Sequence, residues 1–381
     1  MVRRRRHRTF AGAHRDVQAA GDARVEGSGM TGRTSNPVER TADGQSPHAF
    51  VQEIAGHILL ARALGVVAEL GIADLVAAGP RTLAELADAA GAHPESLYRL
   101  LRMLGGHGVF AELPDGRIGS TPRADVLRRD HPDSLHDLLS MTWQNLHWDT
   151  FRALPDAIRT GGIAFEQAFG QGFFDYLAAH PEMNAAFDLR MAQVSRAENP
   201  PIAAAYPFGA FRRVVDLGGG RGGLLVAVLQ RYPGIEATLY DQPQVVAEPT
   251  DLARAGLLER VACVSGDFFA AVPAGFDLYF MKRIIHDWDD ERAVRILRNC
   301  AQAMLPGSRV AVADAVMVPG NDPDPNKTLD LSIMALTPGK ERTAAGFTAL
   351  FAAAGLRLTR IIPTAAPSTV SIIEGVVADD A

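Results

Sequence analysis

The sequence of 381 residues contains only two cysteines, Cys263 and Cys300, and no Cys-x-x-Cys pair. Two thiols are too few for a disulfide framework, and their spacing fits no zinc site. A strong charge of either sign is also lacking, since the net charge is −6 and the pI is near 6.0. Such a balance provides no broad attraction to nucleic acid or to an anionic membrane. We therefore expect a protein of the reducing cytoplasm that binds a small molecule, with no metal site and with neither nucleic acid nor membrane as a partner.

Residues 1–45 lack hydrophobic periodicity and are rich in Gly, Arg, Ser, Thr and Asp. The arginines at positions 3–6 and 8 are followed by no apolar stretch before His48, so we expect no secretion signal here. We predict that residues 1–45 form a disordered extension. Met1 and Met30 both remain open as the start of translation.

Residues 46–130 have the pattern of a winged helix. From Phe50 apolar residues recur at helical spacing, and we predict a core-facing stripe. This stripe contains Ile54, Ile58, Leu59 and Ala63. Two shorter helices then surround Gly91, the first opening with a capping box of Thr82 and Glu85, and a small hairpin over residues 109–119 follows. The second of these two helices offers only two arginines as cations, so a packing or dimerisation module is favoured over DNA binding.

Residues 131–205 are predicted to be a helical linker region that contributes to a substrate pocket. The region is rich in aromatic residues, most of which we expect to be core, and it directly precedes the predicted ligand-binding domain. We predict that a flat substrate contacts Trp143 and Met191 from this region, together with Asp287 and Met334 further along the chain.

From residue 206 to 381 short β-branched runs alternate with helical segments. The predicted strands cover residues 213–216, 237–240, 261–264, 276–280, 309–313 and 369–373. This alternation predicts a Rossmann-like α/β domain, with a mainly parallel sheet covered by helices on both faces. Sheets of this kind bind ligands at the carboxyl ends of their strands, where the winding direction reverses.

The segment RVVDLGGGRGG, residues 213–223, places a glycine-rich turn after the first of these strands. Asp216 stands two residues before the first glycine, where it would repel a pyrophosphate and attract the ammonium group of an amino acid. Asp241 lies 25 residues further on, at the end of the next strand, as expected for a carboxylate that binds ribose hydroxyls. Asp267 and Phe268 follow the third strand and suit an adenine. These acids and the glycine turn together favour S-adenosylmethionine as the ligand. The alternative, a nicotinamide dehydrogenase, is disfavoured because this sequence lacks a Tyr-x-x-x-Lys pair.

The fourth strand leads into KRIIHDWDDE, residues 282–291. Here the chain resembles the class I small-molecule O-methyltransferases of the plant caffeate type and their bacterial relatives in aromatic polyketide and phenazine biosynthesis. The resemblance spans about residues 48–379, and DLGGGRGG, YDQP, SGDFF, KRIIHDWDDE and PGKERT occur in the family's order. It implies a homodimer formed through the N-terminal domain, a reversed final hairpin, and S-adenosylmethionine as cofactor. The implied cofactor contacts are Asp216, Gly218, Gly220, Asp241, Asp267, Phe268, Lys282 and Ser195.

His286 is the predicted general base. A phenol with a pKa near 10 is mostly protonated at neutral pH, and an imidazole within hydrogen-bond reach can remove its proton during attack on a methyl group. The resemblance implies that two acids orient this histidine, at the positions of Glu341 and Asp314. The family usually has glutamate at the second of these positions, and Asp314 is one methylene shorter. The acids that follow His286 are typical of a helix's first turn, and a metal site like that of catechol methyltransferases is not part of the resemblance.

The predicted reaction is transfer of a methyl group to an aromatic hydroxyl of a secondary-metabolite intermediate. One alternative keeps the fold and cofactor but methylates carbon, or hydroxylates or decarboxylates without methyl transfer, because a fold does not determine chemistry. A second alternative is a DNA-binding regulator that uses the winged helix and senses a small ligand.

Overall fold

The structure, a computed structural model, describes residues 46–378, so the predicted extension 1–45 lies outside the described residues. The chain divides into two units, residues 1–56 and 57–381, and the first is represented only by the opening turns of α1. The N-terminal elements are α1 (Pro47–Glu69), α2 (Ile72–Val76), α3 (Leu83–Ala89), α4 (Pro94–Gly106), β1 (Ala111–Glu112), β2 (Ile118–Gly119) and α5 (Pro122–Asp125).

The predicted helix pair and hairpin of this region are confirmed. At the start of α3 the Thr82 hydroxyl accepts the Glu85 N–H at 3.3 Å, and the Glu85 carboxylate accepts the Thr82 N–H at 2.8 Å. The capping box satisfies two N–H groups that a helix start leaves without partners. In α4, Leu97 and Leu101 are buried in the same cluster as Ile118 of the hairpin. β1 and β2 pair in antiparallel register.

The prediction that the first half of α1 faces the core is wrong. Ile54, Ile58 and Leu59 are exposed, and of the predicted stripe only Ala63 is buried, together with Val67 further along. Ile58 and Leu59, in the second unit, thus form an exposed apolar surface on α1. By length and composition alone α1 would also be able to cross a membrane, which is weak support for such a span.

A helical region follows, and its helices are α6 (Met141–Arg152), α7 (Leu154–Thr160), α8 (Ala164–Phe169), α9 (Phe173–Ala179) and α10 (Pro181–Ala205). Trp143, Phe165 and Phe173 are buried and pack in one cluster with Leu336 from a later helix. The helix α10 continues through Pro200 and Pro201 and ends at Ala205. This region therefore brings aromatic side chains from α6, α8 and α9 together.

The remaining residues form a seven-stranded sheet with flanking helices. Its elements and the short pair β8–β9 are β3 (Arg213–Leu217), β4 (Glu236–Asp241), β5 (Val261–Ser265), β6 (Leu278–Lys282), β7 (Arg309–Asp314), β8 (Val316–Met317), β9 (Arg342–Thr343), β10 (Leu356–Pro363) and β11 (Ser371–Val377). The helices are α11 (Gly223–Arg231), α12 (Pro243–Val246), α13 (Thr250–Arg254), α14 (Asp290–Ala303), α15 (Pro325–Leu336) and α16 (Ala344–Ala353).

The sheet order is β10-β11-β7-β6-β3-β4-β5. β11 runs antiparallel to both β7 and β10, which confirms the reversed hairpin, and the other neighbouring pairs are parallel. The strand predicted at 276–280 begins two residues later, because the Asp277 carboxylate accepts backbone N–H groups of Arg212 and Arg213 at the strand entrance. The strand predicted at 369–373 likewise begins later, at Ser371.

Both faces of the sheet are covered by helices. Val214 and Phe280 pack on one face in a cluster with Leu224 of α11, whereas Val215 packs on the other face in a cluster with Ile296 of α14. Successive strand residues point to opposite faces, so strands buried on both sides read as continuous apolar runs. From β3 the chain continues to β4 and β5 on one side, and it then crosses over to β6 on the other side. At such a reversal a crevice opens at the carboxyl end of the central strand, here β3.

Candidate active site

The glycine turn lies directly at this crevice. Gly218 and Gly220 have φ angles of 69° and 59°, in the left-handed region that favours glycine. A Cβ on Gly218 would lie 2.4 Å from Ile284 Cδ1, and one on Gly219 would lie 2.6 Å from Asp216 Oδ2. Both distances are shorter than any real contact, so the turn requires glycine and brings bare backbone to the floor of the crevice.

Asp216 and Asp241 come together at this turn. The Asp241 carboxylate accepts the Gly220 N–H at 2.9 Å and the Gln242 N–H at 2.7 Å. Asp216 is buried, and its Oδ2 has no hydrogen-bond partner among the described residues. Burial raises the pKa of Asp216 to about 7, with the Lys282 ammonium acting in the opposite direction. A buried carboxylate oxygen without a partner is costly, so the site fits a ligand that brings a donor or a positive charge.

The end of β5 adds the third predicted group. The Asp267 carboxylate accepts the Phe269 N–H at 2.8 Å, which shapes the turn after the strand. The Phe268 ring would come within 3.7 Å of a Cβ on Gly218, so it lies beside the glycine turn. The structure therefore places Asp216, Asp241 and Phe268 around one turn. This agrees with their positions at or after the ends of neighbouring parallel strands.

Lys282, at the end of β6, reaches α10. Its ammonium donates to Ser195 Oγ at 2.6 Å and to Asn199 Oδ1 at 3.0 Å. Burial lowers the pKa of Lys282 to about 8, although the nearby acids Glu198 and Asp216 act to raise it. The predicted pair Lys282 and Ser195 is thus brought into contact across 87 residues of sequence. Asn199 was missed, although it stands four residues after Ser195 and so shares its helix face.

Arg283 is a second residue that the sequence reasoning missed. It is the only described residue other than glycine with a positive φ, 56°. Its guanidinium pairs with the buried Glu198, donates to Thr369 Oγ1 at 3.0 Å, and lies 3.8 Å from Glu341 Oε1. The motif KRIIHDWDDE contained the arginine, but only the fold shows that it joins α10 to the acid beside His286.

His286 lies in the turn Ile285–Asp287 that follows β6, and it is buried. Its Nδ1 is 2.8 Å from Glu341 Oε1, and its Nε2 is 3.6 Å from Asp287 Oδ1. Glu341 is itself buried, and its Oε2 has no partner among the described residues. The histidine is therefore held at one ring nitrogen by a carboxylate and has a second carboxylate beside the other nitrogen.

Asp314 does not contact the imidazole in the way that the resemblance implies. Its Oδ2 accepts the backbone N–H of His286 at 3.1 Å, and its Oδ1 has no partner in the described part of the chain. The shorter side chain at the end of β7 thus stops at the backbone of the turn. Asp314 positions the main chain of His286, whereas Glu341 alone hydrogen-bonds to the ring.

The acids around the ring change its protonation. Burial by itself would lower the pKa of His286, but Asp287, Asp314 and Glu341 together raise it to about 9. Burial raises the pKa of Asp314 to about 7 and that of Asp287 to about 6. The site therefore favours an imidazolium flanked by carboxylates, which makes the neutral ring a strong base.

The segment PGKERT, residues 338–343, closes over the His286 turn. A Cβ on Gly339 would lie 1.9 Å from the His286 carbonyl oxygen, and the Lys340 N–H donates to the same oxygen at 2.9 Å. Arg342 donates to the carbonyls of Ile285 and Trp288 at 3.0 and 2.8 Å. Arg342 was missed because its partners are backbone atoms more than 50 residues away.

The predicted substrate contacts lie in the helical region and beside His286. Trp143 is buried, whereas Met191 and Met334 are half-buried, on α10 and α15. Met191 stands one turn before Ser195, and Met334 stands two residues before Leu336, which packs in the cluster of Trp143. Of the four, Asp287 alone has a described contact with His286. Within residues 46–378, no group of three or more His, Cys, Asp or Glu side chains is arranged to hold a metal ion.

Comparison with known proteins identifies two family domains in this chain. The family model of the O-methyltransferase domain matches residues 151–357, and the family model of the O-methyltransferase dimerisation domain matches residues 52–130. Phenazine O-methyltransferase PhzM of Lysobacter antibioticus is 40% identical over 329 residues, which cover 85% of this chain and 94% of that protein. Mitomycin biosynthesis 6-O-methyltransferase of Streptomyces lavendulae is 37% identical over 348 residues, or 88% and 98% of the two chains.

A solved structure extends the comparison to ligands. The O-methyltransferase NcsB1 from neocarzinostatin biosynthesis, in complex with S-adenosyl-L-homocysteine and 1,4-dihydroxy-2-naphthoic acid, matches with a TM-score of 0.73 and 37% identity. The match covers 84% of this chain and 96% of that one. A further relative, aclacinomycin 10-hydroxylase RdmB of Streptomyces purpurascens, is 35% identical over 313 residues, or 80% and 83% of the two chains. The chain belongs to the family of S-adenosylmethionine-dependent O-methyltransferases that carry an N-terminal dimerisation domain.

Proposed function

We propose that this enzyme methylates an aromatic hydroxyl of a secondary-metabolite intermediate and that His286 is its general base. The observation that carries the proposal is the buried contact of His286 Nδ1 with Glu341 at 2.8 Å, which leaves Nε2 for the acceptor's proton. The relatives support the acceptor class, since their names include phenazine and mitomycin O-methyltransferases.

The bound cofactor supplies an electrophilic methyl group on a sulfonium centre. For the cofactor, Asp216 offers a buried carboxylate oxygen to the ammonium, Asp241 offers its carboxylate to the ribose, and Phe268 offers its ring to the adenine. Lys282, already bonded to Ser195, provides a positive charge at the same crevice. Asp216→Asn is expected to weaken binding of S-adenosylhomocysteine about tenfold to a hundredfold, because the charged partner is lost.

On the acceptor side, His286 Nε2 takes the proton of the hydroxyl during attack. The positive charge that then develops on the ring is stabilised by Glu341 at Nδ1, an arrangement typical of a base oriented by a carboxylate. Asp314 and the Lys340 N–H hold the backbone of the turn, so the ring has one orientation. A base with a pKa of about 9 is closely matched to a phenol with a pKa near 10.

The test is His286→Gln compared with His107→Gln, whose side chain is exposed at the end of α4. We expect the first change to lower kcat for methyl transfer about a hundredfold to ten thousandfold while the affinity for S-adenosylhomocysteine is retained. The second change is expected to leave both unaffected. Full activity of His286→Gln on the true acceptor would show that another group, or none, removes the proton.

Because the chain is also similar to aclacinomycin 10-hydroxylase, the same assay must show whether the product has been methylated or changed in another way. Mass spectrometry of the product distinguishes a gain of a methyl group from a gain of oxygen or a loss of carbon dioxide. We expect the methyl gain because His286 and Glu341 form a base suited to a hydroxyl.

We also propose that the chain forms a homodimer through α1. The family model of the dimerisation domain matches from residue 52, and Ile58 and Leu59 are 57% and 62% exposed. Exposed apolar side chains of this size mark an interface. Leu59→Asp is expected to shift the mass in solution from dimer to monomer, measured by light scattering. Val318→Asp, at an equally exposed site far along the chain, is the control and should remain dimeric.

A further inference from the structure

Arg190 on α10 is a half-buried guanidinium without an acid partner. Among the described residues it has no ion pair and no hydrogen bond, and its contact is with the face of Trp143, 5.1 Å from the ring centroid. Burial lowers the pKa of Arg190, as expected for a cation whose charge nothing compensates. Charges that are partly withdrawn from water are stabilised by an opposite charge, and no acid of the described residues provides one for Arg190.

Trp143 adds a second donor that lacks an acceptor. Its side chain is 4% exposed, and Nε1 has no hydrogen-bond partner in the described part of the chain. A buried indole N–H usually finds a partner. The guanidinium of Arg190 over the ring of Trp143 and the unpartnered N–H of the same ring therefore place two donor groups at one side chain.

The neighbouring side chains do not supply a negative charge. The His147 ring is tilted by 59° against Trp143 with centroids 4.5 Å apart, and its Nδ1 is 3.0 Å from the Trp143 carbonyl oxygen. An imidazole is never an anion, and burial lowers the pKa of His147. The acid nearest in sequence, Asp188, lies 3.6 Å from the guanidinium of Arg221.

The place is connected to the reacting centre by a continuous series of aromatic contacts. From Trp143 the series runs through Phe187, Phe173 and Phe174 to Trp288, with neighbouring ring centroids 5.3 to 5.9 Å apart. Trp288 stands two residues after His286. Arg190 also precedes Ser195 by five residues on the same helix, which is about 7.5 Å along its axis. Arg190 and the turn of His286 thus lie at the two ends of one series of packed rings.

We infer that Arg190 and the Trp143 indole N–H bind a carboxylate carried by the aromatic acceptor, so that the enzyme's substrate is an aromatic hydroxy acid. The inference rests on the proposed function for the position of the acceptor. A planar guanidinium donates two parallel hydrogen bonds to a carboxylate, and the charge of the pair is balanced, whereas a neutral oxygen would leave the buried cation uncompensated. The same contact sets the orientation of the ring, because the acid end is held away from His286.

The experiment measures binding, and methyl transfer to the same compounds is measured beside it. Hydroxynaphthoic acids and their uncharged carboxamides, as matched pairs over the ring positions, are titrated by calorimetry into the complex with S-adenosylhomocysteine. For the wild type we expect at least one acid to bind about tenfold to a hundredfold more tightly than its amide. Arg190→Gln is expected to abolish that preference, Arg190→Lys to keep part of it, and Trp143→Phe, which keeps the ring, to reduce it. Unchanged affinity for S-adenosylhomocysteine shows that each variant is folded.

Two results would overturn the inference. One is a wild type that binds no acid more tightly than its amide. The other is Arg190→Gln with the full preference for the acid. Methyl transfer to both members of a pair at equal affinity would refute the carboxylate site and leave the proposed function standing. Acid binding that depends on Arg190 without any methyl transfer would refute the proposed function and leave the site standing.

Discussion

Replacement of Glu341 by glutamine tests how Glu341 controls the pKa of His286, the proposed general base. The substitution keeps the size and the hydrogen-bonding oxygen of the side chain but removes the charge that lies 2.8 Å from His286 Nδ1. Burial opposes the imidazolium, and the three neighbouring carboxylates raise the pKa of His286 from its ordinary 6.5 to about 9. That difference corresponds to about 3 kcal/mol in favour of the charged ring.

Loss of the Glu341 charge should lower the pKa of His286 by about 1 to 3, since an opposite charge at this distance has an effect of that size. A general base acts in its neutral form, so kcat/KM rises with pH and levels off above the pKa of the base. In Glu341→Gln the rising limb therefore moves to lower pH. The plateau should fall by about tenfold to at most a thousandfold, because a pKa lowered by 1 to 3 means that the imidazolium is stabilised less by that factor.

The assay is the pH dependence of kcat/KM for methyl transfer, from pH about 6 to about 10. Glu291→Gln is the control, because Glu291 is an exposed acid in the first turn of α14 and should leave the limb where it is. A variant with reduced activity but an unshifted rising limb would refute the reasoning, since a merely structural role of Glu341 does not change the pKa of the base.

Two further predictions concern contacts that support the site and the sheet. Gly339→Ala should destabilise the protein by about 1 to 3 kcal/mol and reduce activity, because a Cβ at 1.9 Å displaces the His286 carbonyl; Gly234→Ala, with open space around it, is the control in the same urea titrations. Glu374→Gln should cost about 1 to 3 kcal/mol in urea unfolding, because the buried carboxylate accepts the Tyr206 hydroxyl at 2.7 Å and is paired with an arginine. No change in the urea midpoint would contradict either expectation.

The grouping of the proposed cofactor contacts around one turn could be predicted because these residues are local in sequence or follow strand ends. Asp216 and the glycines belong to one turn, Asp241 and Asp267 follow strand ends, and parallel strands bring such ends to one edge of the sheet. The outer limits of strands were less accurate, as the late start of β6 shows. There the Asp277 carboxylate binds the backbone of a neighbouring strand, an interaction between distant segments that periodicity does not contain.

The sequence by itself determined the fold class, the glycine turn, the strand-end acids and the candidacy of His286, because each depends on residue type and short spacing. The tertiary structure decided which groups meet. It placed Glu341 on the ring of His286 but Asp314 on its backbone, and it left the apolar surface of α1 uncovered. It also brought Arg190 onto Trp143 with no acid beside them. Side-chain length and the packing of distant helices set these contacts, and neither is expressed in a local pattern.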